Sequence, residues 1–166
     1  MHKFKIRLLV MDVDGTLTDG KIYTGSQGEV FKAFHVKDGY GIKNILPLHN
    51  ITPVILSGRT SNVVEKRAEE LGIVEVYQGC DDKIDKLKSI VEKYRCNLEN
   101  VAFIGDDLND IECLKACGFS GCPSDAVTEV KKVVDYTCLQ SGGAGCVREI
   151  IDILTQDANY LQFPNQ

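Results

Sequence analysis

The sequence lacks the features that mark several large classes of protein. None of its apolar runs is long enough to cross a membrane, and no apolar signal-peptide segment stands at its N-terminus. Basic residues are not in excess, since 19 Lys and Arg stand against 24 Asp and Glu and leave a net charge of −5. Because nucleic-acid binding needs a basic surface, these absences predict a cytoplasmic protein with neither a nucleic-acid nor a membrane partner.

Paired cysteines with C-x-x-C spacing are absent as well, and there are only three histidines. The seven cysteines are odd in number and scattered, which favours reduced thiols that pack as small apolar side chains. Cys113 and Cys117 lie four residues apart on a predicted helix, but too few further ligands stand near them to complete a metal site. A zinc protein is therefore not expected.

What the sequence does contain is an alternation of short apolar runs with helical patterns, in a chain of 166 residues with 43% apolar residues. Apolar strands separated by helices are typical of a parallel sheet covered on both faces, so we expect a doubly wound α/β fold in a single domain, residues 1–166. Gly72 and Pro47 are expected to end two of the helices. The predicted strands are 6–11, 52–56, 74–77, 101–104, 119–121 and 135–138, and the predicted helices are 39–46, 60–71, 82–94, 108–116, 125–133 and 144–155.

One segment interrupts this alternation. Residues 21–34, K-I-Y-T-G-S-Q-G-E-V-F-K-A-F, contain two short strand patterns around a glycine-containing turn, which predicts a β-hairpin. No insertion is large enough to form a second domain. The hairpin is therefore expected to be a flap on a fold without a large cap domain.

Carboxylates follow two of the predicted strands. L-L-V-M-D-V-D-G-T places Asp12 and Asp14 after the first strand, and V-A-F-I-G-D-D-L-N-D places three acids after the fourth, Asp106, Asp107 and Asp110. The carboxyl ends of parallel strands share one edge of the sheet, so the two groups can converge there, and crowded carboxylates favour Mg²⁺. A helix N-terminus that attracts acids would account for Asp107 and Asp110, but not for the first pair.

Two further polar groups follow the second and third predicted strands. The hydroxyl of Ser57 and the backbone N–H groups of Gly58 and Arg59 can hold phosphate oxygens, and Lys83 can neutralise an anion. Taken alone, the serine is equally a helix cap and the lysine equally a solvated charge. Together with the acids, these residues supply the nucleophile, the positive charge and the acid/base that phosphoryl transfer requires.

This order of motifs resembles the haloacid dehalogenase-like phosphohydrolase superfamily over nearly the whole chain. Five segments are similar to the 3-deoxy-D-manno-octulosonate 8-phosphate phosphatase family: F-H-V-K-D-G-Y-G-I-K (34–43), I-L-S-G-R (55–59), V-E-K-R-A-E-E-L-G-I (64–73), Y-Q-G-C-D-D-K (77–83) and G-G-A-G-C-V-R-E (142–149). The resemblance implies an α/β fold without a cap and a homotetramer in which a neighbouring subunit closes the active site.

The resemblance also implies roles for individual residues. Asp12 is the nucleophile, which forms an aspartyl-phosphate, and Asp14 is the general acid and base. Ser57 and Lys83 bind the phosphate. A magnesium ion is held by Asp12, by Asp14 through its backbone carbonyl, and by Asp106.

The implied substrate is a phosphorylated 3-deoxy-2-ulosonic acid. Arg67 can equally be an exposed charge on the polar face of its helix. Ala144 stands where the family usually carries a basic residue, which leaves open an eight-carbon 8-phosphate or a nine-carbon, sialic-acid-type 9-phosphate. The positions that match substrate contacts are Gly58, Arg59, Lys37, Asp38, Gly39, Lys43 and Arg67.

With no cap, another part of the molecule must exclude water from the site. The candidates are the hairpin at 21–34 and, from a neighbouring subunit, the glycine loop around Ala144 or the tail at 156–166. We therefore expect the active sites to lie at subunit interfaces.

Alternatives from other classes remain open at this point. A receiver-type phosphoacceptor domain also arranges acids, a hydroxyl and a lysine around Mg²⁺, but its phosphorylated aspartate follows the third strand, where this chain has Gly79 and Lys83. A non-enzymatic module that regulates sugar-acid activation would not need the complete set of acids and lysine. A phosphotransferase or mutase of the same superfamily usually needs a cap to protect its intermediate from water.

Overall fold

The computed structural model describes residues 5–155, and a six-stranded parallel sheet forms its centre. The strands of the described chain are β1 (Leu8–Met11), β2 (Tyr23–Gly25), β3 (Gly28–Phe31), β4 (Thr52–Leu56), β5 (Glu75–Tyr77), β6 (Val101–Ile104), β7 (Phe119–Cys122) and β8 (Tyr136–Thr137). The sheet has the order β5-β4-β1-β6-β7-β8, and all of its neighbouring strands run parallel. β1 is therefore a central strand between β4 and β6.

Six α-helices accompany the sheet within the described range. They are α1 (Val36–Tyr40), α2 (Asn62–Leu71), α3 (Lys83–Lys93), α4 (Ile111–Ala116), α5 (Thr128–Lys131) and α6 (Cys146–Thr155). Short 3-10 segments occupy Leu46–His49, Leu98–Asn100 and Leu108–Asp110. Between residues 5 and 155, none of these helices combines the length and the apolar character that crossing a bilayer requires.

The sequence of β1 is apolar throughout because both of its faces pack into cores. Leu9 and Met11 face a core shared with α2 and α6, whereas Leu8 and Val10 face a second core shared with α3, α4 and α5. All four side chains are buried, because successive residues of a strand point to opposite faces and both faces are covered. The predicted doubly wound α/β fold is confirmed.

The predicted bounds of β4 and β6 agree with the structure, but the helix around Pro47 does not end where the sequence suggested. α1 begins at Val36, and helical turns continue through Gly41–Ile45 and Leu46–His49 before Asn50 leaves the helix with φ 56°. The prediction that Pro47 ends this helix is wrong, because proline is tolerated in the first turn of a helical segment, where it stands here. Gly72 does end α2, with φ 72°.

The predicted hairpin is present as the antiparallel pair β2 and β3. The rings of Tyr23 and Phe31 stack across the pair with their centroids 4.3 Å apart. Three large apolar side chains on or beside these strands, Ile22, Val30 and Phe31, are 45 to 59% exposed. The hairpin thus presents an apolar surface to solvent.

The seven cysteines are free thiols, as the sequence predicts. Four of them are buried, and Cys113 belongs to the core beneath α4. Burial raises the pKa of the Cys113 thiol to about 12, so this thiol stays protonated at neutral pH. These cysteines act as small apolar side chains in the cores.

Candidate active site

The carboxyl ends of β1, β4 and β6 form one edge of the sheet, and the predicted catalytic residues meet there. The backbone N–H of Asp12 donates to the carbonyl of Ile104 over 3.0 Å, and that of Ser57 donates to the carbonyl of Tyr77 over 2.9 Å. These bonds continue the parallel ladders past the strand ends and so fix both residues. The cavity above them is lined by Asp12, Asp14, Ser57, Gly58, Arg59, Asp106, Asp107 and Asn109.

Lys83, the first residue of α3, lies buried beneath this cavity. Its side chain is 1% exposed, and its Nζ lies 2.6 Å from Oδ1 of Asp12 and 2.7 Å from Oδ1 of Asp110. Burial alone would lower the pKa of Lys83, but the charges of the two carboxylates raise it above its usual value. The lysine is therefore a fixed positive charge beside Asp12.

Asp110 is a site residue to which the sequence assigned no individual role beyond membership of the second group of acids. It is fully buried, and its Oδ2 accepts from the backbone N–H of Asp106 at 3.1 Å and of Asp107 at 3.4 Å. Asp110 thus shapes the G-D-D loop with one oxygen and orients Lys83 with the other. Its spacing three residues after Asp107, which is that of a capping box, was the available signal.

The acids at this edge form a group suited to a cation. Asp12, Asp106 and Asp110 each place a carboxylate oxygen within 4.8 Å of the others. Burial, together with the charge of Asp110, raises the pKa of Asp12 to about 6, and burial with the charge of Asp12 raises the pKa of Asp106 to about 8. Oδ1 of Asp106 is also buried without a hydrogen-bond partner. An all-oxygen group with these properties fits a hard divalent ion such as Mg²⁺.

The turn after β1 depends on glycine. Gly15 has φ 92°, and a Cβ at this position would overlap the carboxylate of Asp106. Asp14 precedes it with φ −77° and ψ 111°, outside the helical region, while the backbone N–H of Thr18 closes the turn on the carbonyl of Val13. Only glycine lets the chain pass this close to the acids.

Asp14 lies outside the group of three acids and faces other charges. Its Oδ1 pairs with Nζ of Lys32, and its Oδ2 lies 3.7 Å from Nε of Arg59. Its side chain is 19% exposed, whereas that of Asp12 is 8% exposed. The two aspartates of D-V-D therefore have different surroundings, which suits two different roles.

Only some of the predicted substrate contacts lie at this cavity. Gly58 and Arg59 line it, and the Arg59 side chain is 50% exposed. Arg67 pairs with Glu70 at 2.7 Å and lies over the ring of Phe34, 5.7 Å from its centroid. The Arg67 guanidinium is thus directed to a neighbouring part of the same chain rather than to Asp12.

The remaining predicted contacts lie away from this cavity, where they contact α2 or lie next to α6. The guanidinium of Arg67 occupies the space that a Cβ on Gly39 would need, and Lys43 donates to the carbonyl of Glu70 over 2.8 Å. Asp38 is buried and accepts from the backbone N–H of Arg148 at 2.7 Å, which caps the start of α6. A separate surface groove is lined by residues including Lys37, Ala144 and Arg148.

The chain is similar to known hydrolases at two levels, that of a family and that of individual proteins. The model of the family described as haloacid dehalogenase-like hydrolase matches residues 55–150, more than half of the chain. At the level of individual proteins, the 3-deoxy-D-manno-octulosonate 8-phosphate phosphatase of Salmonella typhi is 45% identical over 149 residues, which cover 90% of this chain and 79% of that protein.

Solved structures agree with the sequence match. The crystal structure of the phosphatase of that name from Yersinia pestis is 42% identical and superposes with a TM-score of 0.87, covering 90% of this chain and 80% of that one. The Moraxella catarrhalis phosphatase, solved in complex with magnesium, phosphate and KDO, is 40% identical with a TM-score of 0.86 and coverage of 90% and 85%. The chain therefore belongs to the haloacid dehalogenase-like hydrolases and, within them, to the 3-deoxy-D-manno-octulosonate 8-phosphate phosphatase family.

Proposed function

We propose that this chain is a Mg²⁺-dependent phosphomonoesterase that hydrolyses 3-deoxy-D-manno-octulosonate 8-phosphate. The observation that carries the proposal is the contact of buried Asp12 with Lys83 beside a group of acids, at the strand edge where relatives of this name share the fold. A carboxylate held between a fixed lysine and a cation site is placed to attack phosphorus.

In the proposed reaction, Asp12 attacks phosphorus in line, the bond to the sugar oxygen breaks, and an aspartyl-phosphate forms. Asp14 donates a proton to the departing sugar oxygen. It then takes a proton from the water that cleaves the aspartyl-phosphate, which releases phosphate and restores Asp12. The roles of nucleophile for Asp12 and of acid and base for Asp14 agree with the different surroundings of the two aspartates.

The surrounding groups would stabilise the charge on the transferred phosphoryl group. Lys83 is the fixed cation, and the Ser57 hydroxyl with the backbone N–H groups of Gly58 and Arg59 are the hydrogen-bond donors. Asp12, Asp106 and the backbone carbonyl of Asp14 would hold Mg²⁺, which supplies further positive charge to the phosphate oxygens.

A substrate panel tests this function. We expect kcat/KM for the eight-carbon 8-phosphate to exceed that for a nine-carbon 9-phosphate by about ten-fold or more, because one altered contact changes binding by about 1–3 kcal/mol. Activity should disappear with a chelator and return when Mg²⁺ is added. A preference for the nine-carbon ester would move the assignment to the sialic-acid type, in agreement with Ala144. Chelator-resistant activity would contradict the metal site.

We also propose that the chain acts in the cytoplasm as a single-domain protein that assembles into a homotetramer with active sites at subunit interfaces. The exposed apolar side chains of the hairpin support the assembly. So does the position of Lys37, which lines a surface groove away from the cavity of its own chain. The tail at 156–166 lies outside the described residues.

Sedimentation tests the assembly. The wild-type protein should sediment at about four times its chain mass of 18.3 kDa. Val30→Glu should shift it toward smaller species and lower its activity, because a charge would replace an apolar contact of the hairpin. Val74→Glu is the matched control, since Val74 is 90% exposed in the loop before β5. A fully active wild-type monomer would contradict the proposal.

A further inference from the structure

We infer that Lys32 is a positioning residue for the acid/base Asp14, and that Glu29 in turn holds Lys32. The two residues belong to the hairpin segment that follows the turn after β1, where Asp14 lies. The inference rests on the proposed function, because it concerns how the general acid of that reaction is oriented.

Lys32 is almost completely buried, which is rare for a lysine. Its side chain is 2% exposed, and its Nζ pairs with Oδ1 of Asp14 and lies 2.8 Å from Oε1 of Glu29. A buried ammonium group is stable only when nearby carboxylates compensate its lost hydration. The two acids provide that compensation, so the position of Lys32 is set by both of them.

Glu29 connects this pair to α2. Its Oε2 accepts from the hydroxyl of Ser61, the residue before α2. The backbone N–H of Ser61 donates to Oε1 of Gln78 over 2.8 Å, which ties the same point to the loop after β5. The hairpin is therefore fastened to the sheet edge by a chain of polar contacts that ends on the carboxylate of Asp14.

This arrangement assigns different roles to the two oxygens of Asp14. An ammonium group can only donate hydrogen bonds, so the oxygen that faces Lys32 must accept. The oxygen left for proton transfer is therefore Oδ2, which lies 3.7 Å from Nε of Arg59, beyond hydrogen-bond distance, in a residue that lines the cavity. Lys32 thus directs the protonated oxygen toward the sugar oxygen that leaves, and fixes the side-chain rotamer that this transfer needs.

The leaving group provides a test that a merely structural role would not satisfy. A sugar alkoxide needs the proton from Asp14, whereas p-nitrophenolate leaves without one. For Lys32→Met we expect kcat on the sugar 8-phosphate to fall about 10–100-fold with KM changed less than about three-fold, because misplacing a general acid forfeits part of its contribution. On p-nitrophenyl phosphate, kcat/KM should change less than about three-fold, because this ratio reports the steps up to departure of the leaving group and not the later attack of water.

A double-mutant cycle completes the test. In the Asp14→Asn background, Lys32→Met should cause no further loss on the sugar phosphate, because Lys32 acts through Asp14. Lys21→Met is the matched control, since Lys21 lies in the same hairpin segment with its side chain 71% exposed. If Lys32→Met fails to fold, Glu29→Gln should produce the same leaving-group dependence in weaker form.

Four outcomes separate the hypotheses. An equal loss of kcat/KM on both esters, or a loss that adds to that of Asp14→Asn, would overturn the positioning role. Unchanged kcat on the sugar phosphate would overturn it as well. A wild-type enzyme that hydrolyses neither ester would instead overturn the proposed function itself.

Discussion

Replacing Asp12 with asparagine should abolish turnover while leaving the fold intact. The amide has nearly the same shape as the carboxylate, but it cannot attack phosphorus to form the acyl phosphate. We expect kcat to fall by about five orders of magnitude, comparable to the loss of other catalytic nucleophiles. Single-turnover assays with the sugar 8-phosphate and circular dichroism would measure the two parts of this prediction.

The fold should survive because Asp12 is not the only partner of Lys83. Asp110 remains 2.7 Å from the ammonium group, and the loss of one of three crowded carboxylates reduces their repulsion. Asp85→Asn is a suitable control, since Asp85 is exposed on α3 and should keep full activity. Substantial turnover by the Asp12 variant would show that another group is the nucleophile.

Lys83→Met should have a large effect on stability as well as on rate. The substitution would leave three carboxylates at one edge with no compensating lysine. Breaking a buried ion pair by removing one partner costs about 3–5 kcal/mol, and loss of a fixed charge at the transferred group costs about 100–1,000-fold in kcat. Denaturant unfolding and steady-state kinetics would measure these losses.

Added Mg²⁺ should restore part of the stability of this variant, because the ion can replace the missing charge among the acids. It should not restore the rate, since Lys83 also holds a phosphate oxygen in the proposed reaction. Lys88→Met, an exposed substitution on the same helix, should leave both quantities near their wild-type values. A stable and active Lys83 variant would contradict the role of this lysine.

The sequence alone was sufficient to locate the main site residues at one edge of the sheet. Apolar runs between helical patterns specify parallel strands, and parallel strands bring their carboxyl ends together. Asp12, Ser57, Lys83 and Asp106 each stand just after such a strand, which is why their meeting could be predicted. Their chemical roles stay proposals until the variants are measured.

Helix bounds around Pro47 and the role of Asp110 could not be obtained in the same way. Proline is compatible with both the end of one helical segment and the first turn of the next, and the sequence does not distinguish these cases. Asp110 has the spacing of a helix cap, and only its burial against Lys83 distinguishes it from an ordinary capping acid.

The sequence by itself therefore determined the order of the elements, the parallel sheet and the acids at its edge, because each follows from local periodicity and from the direction of the strands. Only the tertiary structure decided that Lys32 contacts Asp14 and that Arg67 is directed away from Asp12. A long charged side chain takes whatever partner compensates its lost hydration, and that partner is set by the packing of distant segments.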